Sequence, residues 1–237
     1  MDAKRIKAAW RAVIAGSRGR RLFPLLLAGT VGACSSPLSP EEAGYDFTLA
    51  LESPVVYRWP TGAAVRVHAA PTGDPQRDRL LADAVHDAVA DWQAVLGEGQ
   101  VRLMVTGGVS EADVVVQWSD GEPPVSTAGC EPVLSGSATT TFCRAADGRG
   151  LEPFPLPGES GGGTVRMLVT VRASEATGPV RVRQLVAHEL GHVLGIGRHS
   201  PDPDDLMWDG PLTRHTPSPA DAATVRRLYE TAPDLLP

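Results

Sequence analysis

His188, Glu189 and His192 stand at a spacing that suits one metal ion and one proton-transfer group. On a helix, residues four apart share a face one turn apart, so the two imidazoles can reach a common ion. Glu189 then projects beside that ion without having to ligate it. A catalytic zinc takes three protein ligands and keeps one position open for water, with a nearby carboxylate as general base and acid. The third ligand must come from outside the helix. Gly195 is placed to end the helix in a left-handed conformation that turns the chain back, and His199 is the first imidazole after it. His215 is the rival for that role, and Glu230 is the one late glutamate that could replace a histidine.

His188, Glu189, His192, Gly195 and Met207, in that order, match the pattern of the metzincin metalloproteases, and the chain resembles their matrixin-like bacterial members. The specific part of the likeness lies within residues 186–208; a looser likeness runs from 57 to 229. The family pattern has its third histidine three residues after the glycine, where this chain has Arg198; His199 follows one later, and Gly197 gives the longer turn room to close. The resemblance implies a zinc-dependent endopeptidase with one catalytic Zn(2+) held by His188, His192 and His199, and with Glu189 as general base. It implies that Met207 is a packed floor beneath the histidines, not a ligand. Trp208 and the loop after it would shape the pocket for the side chain beyond the scissile bond. The strand around 136–143 would be the sheet edge above the cleft, where an extended peptide could add. Whether calcium binds is not legible.

These residues need a scaffold. The fold class expected is α+β, zincin-like, with a twisted mixed sheet of about five strands and three main helices. Apolar residues at helical spacing predict a helix over 74–96, with Trp92 in its buried stripe, and the helix of 179–194 that carries the histidines. Ser218, Pro219 and Asp221 carry the signals of a helix start, and that last helix runs to about 231. Strands are predicted over 64–69, 101–106, 113–118, 136–143 and 164–171 from alternation and β-branched content. His86 reads as a solvated surface residue and His68 as structural. Asp202, Asp204 and Asp205 read as turn formers beside Pro201 and Pro203.

The N-terminus has a separate purpose. Seven basic residues precede a short apolar run that ends in Val31-Gly32-Ala33-Cys34, similar to a bacterial lipobox, so residues 1–33 read as a lipoprotein-type signal with Cys34 as the lipidated residue. A plain signal peptide and a secreted protein are the alternative. Residues 34–54 read as a tether and 55–237 as the catalytic domain. Cys130 and Cys143 are then left as a pair that an oxidising exported compartment would join as a disulfide. The segment before Cys34 is +6, so the formal −6 of the whole chain becomes −12 without it, a surface that speaks against nucleic acid. The partners expected are a peptide or protein substrate and a membrane met through the lipid anchor only, at the outer membrane if the cell has one, with the protein a monomer. The rival reading is a zinc-binding envelope lipoprotein that binds a partner without cleaving it.

Overall fold

Helix α1 (Pro75–Val95) forms where expected, and Asp74 caps it, its carboxylate accepting from the backbone N–H groups of Gln76 and Arg77 at 2.9 and 3.4 Å. The computed structural model describes residues 44–51, 54–121, 130–135, 137–156 and 164–237; Cys34, the signal segment and most of the expected tether lie outside them. Helix α2 (Pro179–Leu194) is buried on every side from Gln184 onward, so it is a core element and not an amphipathic surface helix. Helix α3 (Pro219–Glu230) opens with a capping box between Ser218 and Asp221. Among the described residues no helix is long and apolar enough to cross a membrane.

The strands are β1 (Leu49–Ala50), β2 (Pro54–Val55), β3 (Ala63–Ala69), β4 (Val101–Val105), β5 (Val114–Ser119), β6 (Cys130–Ser135), β7 (Ala138–Arg144), β8 (Leu151–Glu152), β9 (Phe154–Pro155), β10 (Thr164–Val165) and β11 (Met167–Arg172). The main sheet is mixed and runs β4-β3-β5-β11-β7-β6, with β8 also paired to β7. The protein is therefore α+β, and all five predicted strand regions contribute to this sheet. β4, β3, β5 and β11 run parallel to one another; β7 runs antiparallel to β11. Val114 and Val116 bury one face of β5 in the main core while Val115 packs with Leu168 in a second, smaller core on the other face. Burial on both faces is what hides the period of two in these central strands.

Three expectations need correction. The strand in the 136–143 region is not a sheet edge: β6 pairs antiparallel along β7 from Cys130↔Cys143 to Ser135↔Ala138, so β6 is the outer strand. The cysteine sulfurs at the far end of this hairpin lie at bonding distance. The single strand expected over 164–171 is two, because β10 leaves the main sheet to pair with β9. The tether does not extend to residue 54. Tyr45, Phe47 and Leu49 are buried in the main core, so the folded unit reaches back at least to Gly44.

Helices α1 and α2 pack directly on each other, and Trp92 of α1 is fully buried with its indole N–H donating to the Ala187 carbonyl at 2.7 Å. Gly191 makes this close approach possible: a Cβ there would meet the Met207 sulfur and the Trp92 ring. Gly191→Ala should therefore destabilise the domain by about 1–3 kcal/mol through overpacking. Urea denaturation of the two proteins checks this; an unchanged midpoint would mean that Met207 and Trp92 yield without cost.

Candidate metal centre

The one-turn spacing on α2 brings His188 and His192 together, their ring centroids 5.0 Å apart. His199 completes a near-equilateral set, at 5.2 Å from His188 and 5.0 Å from His192. One ligand nitrogen from each of the three lies within 4.8 Å of the others, so the cluster could hold a metal ion. The tautomers support that fit. His188 Nδ1 lies 2.7 Å from the Leu206 carbonyl and His192 Nδ1 2.6 Å from the Ile196 carbonyl. A carbonyl oxygen only accepts, so each Nδ1 carries the proton and each Nε2 presents a lone pair. Nε2 of all three residues is buried without a hydrogen-bond partner. Such orphaned atoms are rare, and three converging on one point have the donor chemistry of a metal site.

Arg198 stands where the family pattern has its histidine, and it turns the other way, pairing with Asp46 at 2.9 Å. The extra residue thus serves the N-terminal segment, and His199 takes the inward position. His215 is exposed and outside the cluster, as is Glu230. His86 is exposed, with 76% of its side-chain surface free, and His68 is buried with Nδ1 3.1 Å from the Thr106 carbonyl, both as expected.

The end of α2 must reverse the chain with no polar group left unpaired. Gly195 does so at φ +115°, and a Cβ there would also run into the Tyr57 carbonyl and the Leu228 side chain. The last four carbonyls all find donors. Gly191 accepts from Ile196 N–H, and His192 from Gly195 N–H and the Tyr57 hydroxyl. Val193 accepts from the Trp59 indole at 2.8 Å and Leu194 from the Tyr229 hydroxyl at 3.1 Å. Three aromatic residues from distant parts of the chain thus fasten the turn that leads to His199.

Met207 is fully buried below α2, and the turn that carries it is held by one carboxylate. Asp221, fully buried, accepts from Leu206 N–H at 2.9 Å, Ser218 N–H at 2.7 Å and the Tyr45 hydroxyl at 2.6 Å. Burial raises its pKa even so, against the lowering effect of these bonds. Asp202 and Asp205 accept turn hydrogen bonds from Asp204 N–H and the Ser200 hydroxyl, and backbone carbonyls, not carboxylates, orient the two helical imidazoles.

Glu189 is completely buried and stands outside the set of ligand atoms. Its Oε2 accepts from the Thr140 hydroxyl of β7 at 2.6 Å. Thr140 has no motif around it in the sequence; only the packing of β7 across α2 brings it to the glutamate.

Burial holds His188 and His192 in their neutral forms, His188 down to about 3, aided by the neighbouring imidazoles; His199 is lowered too, again by burial first. A depressed histidine pKa means that the unfolded chain binds more protons below about 6.5, so stability falls as pH falls through that value. His188 alone should cost the metal-free protein about 2 kcal/mol at pH 5 relative to pH 7.5. Asp221, whose pKa burial raises, acts in the opposite sense. Urea midpoints of chelator-treated protein across this window test the sign; a midpoint that rose on acidification would show that the imidazoles are not held neutral.

Beyond this geometry, no protein-family model matches the chain, and no curated protein matches it.

Proposed function

We propose that the chain is a zinc-dependent endopeptidase of the metzincin kind. The observation that carries this reading is the convergence of three buried Nε2 atoms without hydrogen-bond partners beside a buried glutamate on the helix of His188 and His192. Three neutral imidazoles without a thiol suit zinc best among common cellular ions, and His188, His192 and His199 would hold it. Bound there, zinc would polarise water and the scissile carbonyl. Glu189 takes the proton of the attacking water and passes it to the leaving amine. Thr140 is a positioning residue, its hydroxyl locking the Glu189 carboxylate against β7. Because β6 covers β7, a substrate main chain that adds to the sheet pairs with β6, one strand spacing (about 4.8 Å) further out.

A zinc-binding envelope protein that cleaves nothing would need the histidines but neither Glu189 nor the threonine that orients it. Metal content and peptide cleavage measured on one set of variants separate the two. Glu189→Ala should retain about one zinc per chain and lose activity by roughly 10²–10⁴. Thr140→Val should lower kcat with KM and metal little changed, and Thr140→Ser should restore it. His199→Ala should lose both metal and activity, and His215→Ala neither. Full activity in Glu189→Ala would end the general-base assignment, and zinc retained by His199→Ala with loss from His215→Ala would exchange the third ligand.

The same reading places the protein at the cell envelope, with Cys34 lipidated and Cys130 joined to Cys143. Labelled fatty acid should enter the wild type and not Cys34→Ser; equal release of both forms into the medium, with neither labelled, would leave a plain secretory signal.

A further inference from the structure

Arg181, Leu185 and His188 follow at spacings of four and three on α2 and so form one stripe leading to the metal-facing cluster. Beside this stripe lies a small half-open cavity of about 30 Å³, lined also by Trp208, Asp209 and Leu212. That volume is room for about two waters, the space a carboxylate group fills. Arg181 gives its wall a fixed positive charge. Its Nη2 donates to the Ser137 hydroxyl at 3.1 Å, and among the described residues it has no carboxylate within ion-pair distance. Its near neighbour Arg183, in contrast, is engaged by Asp91 at 2.7 Å and Asp87 at 3.3 Å. Asp209 borders the cavity but does not pair with Arg181; its side chain is 60% exposed and lies 3.8 Å from His199 Nε2. A guanidinium with donors to spare, set beside an apolar wall, recognises carboxylates by charge and by geometry.

We propose that this pocket receives a carboxylate of the substrate one residue beyond the scissile bond, with Arg181 as the specificity-determining residue. The proposal rests on the metalloprotease reading above. The carboxylate has two sources: the side chain of an aspartate that follows the cleaved bond, or the terminal carboxylate of a substrate that ends there. In the first case the enzyme is an acid-directed endopeptidase; in the second it removes C-terminal residues.

Capped peptides with Asp, Asn, Ala or Leu after the cleaved bond, and a pair ending there as free acid or amide, distinguish the sources with the metal-loaded full chain. The acid should be favoured in kcat/KM by roughly tenfold or more over its neutral counterpart in one arm or the other. Arg181→Met should bring that ratio toward one with metal content retained, and Arg181→Lys should recover part of it. Preference for Leu, or an acid preference untouched in Arg181→Met, overturns the proposal while leaving proteolysis intact. A second measurement is independent of turnover: calorimetric binding of the dipeptides Asp-Ala and Asn-Ala to the full chain and to Arg181→Met. Tighter binding of Asp-Ala that Arg181→Met abolishes supports an acidic side chain in the pocket, and tighter binding of free Asn-Ala than of its amide, lost in the same variant, supports a chain terminus. Dipeptide binding indifferent to both carboxylates overturns the proposal. Should the wild type cleave no peptide, the metalloprotease reading fails, and the dipeptide result still decides the pocket.

Discussion

Two imidazoles one turn apart inside a closed core cannot turn to water, and most of the architecture around them settles how their ring nitrogens are used. Each Nδ1–H is spent on a backbone carbonyl, Leu206 for His188 and Ile196 for His192. Both carbonyls lie after the helix, so the chain has to come back beneath α2 to supply them. The bond from Ile196 requires the reversal at Gly195, and the bond from Leu206 requires the turn that carries Met207. With the Nδ1 atoms committed, the Nε2 lone pairs are left facing His199 with no protein donor in reach. The same burial that keeps the rings neutral makes them ready ligands, since a protonated imidazole cannot bind a metal.

The cost of such a turn falls on polar groups that would otherwise be stranded, and the fold meets it with residues from its two ends. Tyr57 and Trp59, early in the chain, and Tyr229, late in it, donate to successive carbonyls at the end of α2. Asp221 does the converse for the Met207 turn, gathering N–H groups from Leu206 and Ser218 on a buried carboxylate, with the Tyr45 hydroxyl as a further donor. Residues 44–51 therefore belong to the site's support, not to a tether. Arg198 fits the same account: its ion pair with Asp46 draws it toward this segment, although both side chains are well exposed and the pair adds little stability by itself.

On the opposite side of α2 the sheet sets what can approach. β7 delivers Thr140 to Glu189, and the Ser137 turn at its start reaches Arg181. One strand thus touches both Glu189 and the small pocket beside the cluster. β6 takes the outer edge of β7, so on the proposed reading a substrate main chain would meet β6, while the small pocket is lined by α2 and the 208–212 loop.

Periodicity made the first two helices legible almost to the residue, and the Ser218 cap with Pro219 marked the start of the third, because an apolar stripe and an N-cap are local properties of the chain. The spacing of His188, Glu189 and His192 likewise determined that two imidazoles share a face, and the glycine after them marked the reversal. The placing of His199 rather than His215 in the cluster was not local: it depended on where the turn after Gly195 led. Thr140 and the aromatic donors were beyond reach for the same reason, since each meets its partner across dozens of residues or more with no spacing rule to betray it. β6 escaped because a short strand gains its identity from its neighbour's edge, and the buried ends of β5 and β11 lost their alternation to a second core. What the sequence by itself determined was the ligand chemistry along one helix; tertiary structure decided the third nitrogen, the group that orients the glutamate and the strand that lies at the edge, because those depend on contacts between residues distant in the chain.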